Sequence, residues 1–113
     1  MMQGYDKAEA LAYITMKLTA TAPEELKEDL ELLVDRLIDA DMAYMHQANV
    51  LDAEGNAGDS YYDDDDAIEF MVDQVSAQMQ YTPEMTIKLA LLTDDYMDFQ
   101  QEYLEKKGLI AWE

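Results

Sequence analysis

Cysteine is absent from this 113-residue chain, which excludes disulfides, thiolate nucleophiles and zinc–thiolate centres. Histidine occurs once, at His46, and no serine or cysteine stands beside it in a context that would form a dyad. Bases are scarce. Seven lysines and arginines against 26 aspartates and glutamates leave a formal charge of −19 and a pI near 4.1, and the stretch from Leu37 to Ile87 holds no lysine or arginine. Such a chain is not expected to bind nucleic acid or an anionic membrane directly, because both carry its own sign. Any partner selected by charge is a cation or a basic protein surface. No run approaches the roughly 20 apolar residues that span a bilayer, and the first residues carry acids where a signal peptide needs an apolar core, so the expected location is the cytoplasm.

Proline and glycine are also few, two and four respectively, and they sit where helices begin and end. Asp6 with Glu9 three residues on is a capping-box pattern opening a first helix, whose face is Leu11, Ile14, Thr15 and Leu18. Thr21-Ala22-Pro23-Glu24 opens a second, with Leu26, Leu30, Leu33 and Leu37 forming a seam that Ala40, Tyr44 and Gln47 prolong. Asp63–Asp66 favour a third helix start through the helix dipole, followed by a face of Ile68, Met71, Val72, Val75 and Met79, with Phe70 on the far side. Tyr81-Thr82-Pro83-Glu84 opens the fourth, which carries Met85, Leu89, Leu92, Tyr96, Phe99 and Tyr103 and stops at Lys106-Lys107-Gly108. The expected fold is all-α. Helices over about 6–20, 22–50, 64–80 and 83–107 form two short–long antiparallel hairpins, joined by a long acidic crossover at about 51–63 and followed by an apolar tail at about 109–113. A shift of about sixty residues lays Asp6 on Asp66, Pro23-Glu24 on Pro83-Glu84 and Leu32 on Leu92, an offset compatible with duplication.

The crossover Leu51–Phe70 holds two glycines, two adjacent tyrosines and four consecutive aspartates. Read as a calcium loop, it places Asp52, Glu54, Asn56 and Asp63 at ligand positions of the EF-hand. The sharp-turn position holds Ala57 rather than glycine, however, and aspartate replaces the bidentate glutamate at the end. A flexible acidic loop feeding a helix cap is the better account. No cofactor is expected, and a calcium-responsive module remains the alternative function. Helices with Glu-x-x-His motifs, which build di-iron bundles, are missing, and so is a phosphate loop. The expectation is a protein that is not an enzyme.

Charge placement gives the leading functional expectation. Glu24, Glu28, Glu31, Asp35 and Asp39 would fall on one side of a continuous second helix, about 22 Å of acidic stripe at roughly 1.5 Å per residue. Like charges one turn apart cost a few tenths of a kcal/mol each, so solubility alone does not call for them. Asp59, Asp63, Asp64, Asp65, Asp66 and Asp73 continue the acidity, with Tyr61, Tyr62 and Phe70 as aromatic anchors beside it. In size, helicity, acidity and richness in tyrosine and methionine, the chain resembles the phage and plasmid DNA-mimic proteins that block nucleic-acid-binding proteins. The resemblance is one of composition and carries over no residue. It implies a basic protein partner of the kind that normally holds DNA or RNA; a homo-oligomer built through helix faces or the tail is a further alternative.

Overall fold

Two aspartates and a threonine set where helices start. In the computed structural model, which describes residues 4–51 and 62–108, Asp6 accepts a hydrogen bond from the Glu9 amide and opens α1, Lys7–Leu18. Asp63 accepts from the Asp66 amide and opens α3, Asp64–Met79. Thr82 accepts from the Met85 amide, with Pro83 at the first helical position of α4, Pro83–Lys106. Each cap satisfies an amide that the helix itself leaves orphaned. Together with α2, Leu30–Gln47, these make an all-helical protein with no strand among the described residues. None of these helices is long and apolar enough to cross a membrane.

The second expected helix is divided. Pro23 is followed by a single 3-10 turn, Glu24–Leu26, held by i to i+3 bonds from the Leu26 amide to Pro23 and from the Lys27 amide to Glu24. The α-helix begins only at Leu30. The tighter turn sets Glu24 beside Lys27 at 3.4 Å and still buries Leu26 and Leu30. At its other end α2 stops at Gln47, short of Val50. Asn49 takes the left-handed conformation (φ 62°), and the Val50 and Asn49 amides bond back to the Met45 and His46 carbonyls, a Schellman closure. The crossover and the apolar tail fall almost wholly on 52–61 and 109–113, outside the described residues.

The helices pack in a ring. α1 lies on α2 and α4, and α3 lies on the same two helices. α4, 24 residues long and thus about 36 Å at 1.5 Å per residue, matches the 36 Å long axis of the molecule. The leucine seam of α2 is buried as its spacing predicts, at Leu26, Leu30, Leu33 and Leu37, but the buried face is wider and also takes Val34, Ile38, Asp41, Met42 and Met45. Gln47 is exposed. Ile14 and Leu18 of α1, Met71 and Val75 of α3, and Leu89, Leu92, Tyr96 and Tyr103 of α4 complete the core. Ile68, Met79, Met85 and Phe99 are only partly covered at its edge. Leu32 is 43% exposed while Leu92 is fully buried, and Pro23 starts a 3-10 turn while Pro83 starts an α-helix. The sixty-residue offset therefore does not carry through to equivalent environments.

α3 ends with Gln80 in the left-handed region (φ 56°), the Tyr81 amide bonding to the Ser76 carbonyl. A side chain there opposes the steric preference that glycine lacks. Gln80→Gly is expected to stabilise the fold by about 0.5–1 kcal/mol, read as a higher urea midpoint at unchanged slope. A lower midpoint would contradict this account of the turn.

Candidate functional site

Residues Val34, Leu37, Ile38, Asp41 and Met45 recur at helical spacing on the buried side of α2, and the one acid among them is carried inside with the rest, to 1% exposure. The fold surrounds the Asp41 carboxylate with donors. Tyr62, just before α3, donates to Oδ1 at 2.5 Å. Tyr96 of α4 donates to Oδ2 at 3.0 Å. Gln100, one turn along α4, donates to the Tyr96 hydroxyl at 3.1 Å. Tyr5, ahead of α1, donates to Gln100 Oε1 at 2.9 Å. The bonds run in one direction, from the chain start through α4 to the acid of α2.

Burial pushes the Asp41 carboxyl up, to about 6, against the opposing effect of Tyr62, Tyr96 and Gln100, and the nearby Asp64 charge raises it further. The tyrosines respond in the same sense: burial, then the Asp41 charge, holds Tyr62 and Tyr96 well above the ordinary phenol range.

Beside the carboxylate is a cavity of about 150 Å³. Its apolar walls are Met45, Val50, Met97 and Leu104, and its polar groups include Asp41, Gln100, Asp64 and Asp98. Asp64 and Asp98, from α3 and α4, are exposed and close enough for the Asp98 charge to raise the Asp64 carboxyl, after burial and the neighbouring aspartates.

The acids expected from sequence separate into two groups. On the α2 side, Glu24 sits on the 3-10 turn with Lys27 at 3.4 Å, Glu28 and Glu31 are exposed, and Asp35 and Asp39 share Lys7 of α1 at 2.8 and 2.7 Å. Around α3, Asp63, Asp64, Asp65, Asp66 and Asp73 are all exposed. Lys7 and Lys17 lie on α1, Arg36 on α2, and Lys88 and Lys106 on α4, with Lys107 following it; α3 alone among the four helices has no base. Several bases are already paired: Lys88 with Glu25, Lys107 with Glu9 at 2.6 Å and Lys17 with Glu102 at 3.6 Å.

Two of the aromatic anchors, Tyr62 and Phe70, are placed inward. Tyr62 is half-buried on Asp41 and Met97, and Phe70 packs on Tyr44 of α2 with ring centres 5.8 Å apart. The face opposite the α3 core is thus a second packing layer against α2. Asp59, Tyr61 and the loop ligands Asp52, Glu54 and Asn56 lie outside the described residues; Asp63 is occupied as a helix cap. Among the described residues, no group of three or more His, Asp or Glu side chains is placed to hold a metal ion. Compared with protein-family models, curated proteins and solved structures, the chain gives no match.

Sequence reasoning did not name Asp41, Tyr5 or Gln100 as site residues, and took Tyr96 only as core. The signal was available in an acid interrupting an apolar stripe on α2, but its hydroxyl partners come from distant parts of the chain.

A carboxyl that holds its proton more tightly when folded makes stability fall as pH rises from about 3.8, the unfolded value, to about 6, and stay level above. The full change is about 3 kcal/mol, since each tenfold difference in proton affinity between folded and unfolded chain is worth about 1.36 kcal/mol. Urea unfolding of the protein and of Asp41→Asn between about pH 4 and 7 should show the parent losing stability relative to the variant across that window. A constant difference would remove the buried ionisation from the account.

Proposed function

We propose that this is a non-enzymatic, cytoplasmic binding protein that presents the acidic side of α3 to a basic protein surface of the kind that holds DNA or RNA. The observation that carries the reading is the separation of charge around the ring. α3 exposes Asp64, Asp65, Asp66, Glu69 and Asp73 with no base of its own, whereas Asp35 and Asp39 face a lysine of α1. Asp65, Glu69 and Asp73 recur every fourth residue, about 6 Å apart along the helix, against one phosphate per roughly 3.4 Å of axis on a DNA strand. Asp98 of α4 extends the patch beyond α3. The reading takes the helices as two antiparallel hairpins, with the acidic face beginning at Asp63.

Attraction of this kind is weakened by salt, since exposed charges are screened over about 10 Å at 0.1 M. Basic proteins captured from lysate at about 50 mM salt should be released at about 500 mM and by competing duplex DNA. Neutralising Asp65, Glu69 and Asp73 together should lower capture, while neutralising Asp35 and Asp39 should matter less. Capture indifferent to salt and to the α3 variant would sink the proposal.

A second reading, assembly with copies of itself, is favoured by Ile87 and Leu91. One turn apart on α4, they remain 65% and 62% exposed. Light scattering at high protein concentration should then give a mass above the monomer that Leu91→Glu reduces; a monomeric mass removes this reading.

A further inference from the structure

We propose that the cavity beside Asp41 receives the side chain of a lysine from the basic partner, with its alkyl stem between the apolar walls and its ammonium toward the acids. This rests on the partner reading above and specifies the contact. The volume, about 150 Å³, is of the size that holds a benzene-sized guest of six heavy atoms; a lysine side chain has five beyond its Cα. The walls supplied by Met45, Met97 and Leu104 suit methylenes, and thioether side chains adapt to the shape of an entering group. The charges selecting the guest are of one sign: Asp41 at the buried end, Asp64 and Asp98 exposed. An ionised carboxylate offers about four acceptor positions, and Tyr62 and Tyr96 use one on each oxygen of Asp41, which leaves capacity for an N–H donor. An anion would meet repulsion from every charged group in this lining, and a neutral alkyl group would leave Asp41 uncompensated.

The methionine methyl groups provide the readout. With the full chain carrying 13C-methyl methionine, titration with Nα-acetyl-lysine-N-methylamide should shift the Met45 and Met97 methyl signals saturably, while exposed Met16 stays in place. The norleucine analogue, matched in stem but without charge, should bind at least about tenfold more weakly. Asp98→Asn, on the exposed rim, should weaken binding severalfold without altering the melting temperature; Asp41→Asn, with its melting curve checked, should weaken it more. The inference is overturned if Met45 and Met97 do not respond, or if the norleucine analogue binds as tightly. It is equally overturned if n-butylammonium binds while the blocked lysine does not, which would make a small free amine the occupant. Loss of capture in the α3 variant with cavity binding intact, or the reverse, tells failure of the acidic-face reading from failure of this one.

Discussion

The buried carboxylate of Asp41 is the constraint the rest of the structure answers to. Taking an ion out of water costs several kcal/mol unless hydrogen bonds replace its hydration. Here the replacements come from Tyr62 at the entrance to α3 and Tyr96 of α4, with Gln100 and then Tyr5 bonded in line behind Tyr96. Apolar contact is non-directional, so leucines and methionines alone leave latitude in how four helices slide and rotate. Two hydroxyl bonds to one carboxylate narrow that latitude, because each needs its own element at the right height and rotation. Tyr103 plays a similar part at the other contact of α4: it is buried against Tyr5 and Tyr13 and bonds to Glu9 at 3.1 Å. Its phenol is pushed up to about 12, first by burial and then by that glutamate.

Charge is distributed by the same packing. With −19 overall, repulsion is reduced where a base reaches acids on a neighbouring element, as Lys7 does between Asp35 and Asp39 and Lys88 does toward Glu25. These links join α1 to α2, and α4 to the turn before α2. α3 takes no part in them among the ion pairs described. Its acids contribute to helix capping and to the favourable dipole interaction at its first turn, but most of their field remains directed at solvent. Exposed surface ion pairs contribute little to stability, so the arrangement matters more for which face stays negative than for how firmly the helices hold.

The cavity and the acidic face meet at Asp64, which is exposed on the first turn of α3 and also lines the space beside Asp41. One end of the α3 surface therefore passes into an apolar recess whose buried end is also acidic. A surface of this form combines long-range attraction for a basic partner with a short-range test of shape, the two components that separate steering from specificity.

The sequence by itself determined the local structure. Asp6, Asp63 and Thr82 act as caps because their side chains reach an amide three residues on, an interaction contained within one turn. The spacing of Leu26, Leu30, Leu33 and Leu37 and the stop at Lys106-Lys107-Gly108 were legible for the same reason. The break before Leu30 was not, since Pro23-Glu24 and Pro83-Glu84 carry the same local signal and only the second opens an α-helix. Nor was the role of Asp41: periodicity puts it on the inner stripe, but only donors 21 and 55 residues away along the chain (Tyr62 and Tyr96) make an acid tolerable there. The acids of α2 and α3 look alike in sequence. Tertiary packing alone decided that Asp35 and Asp39 would share a lysine while those of α3 would not, because the partner base sits on α1, which packs against α2.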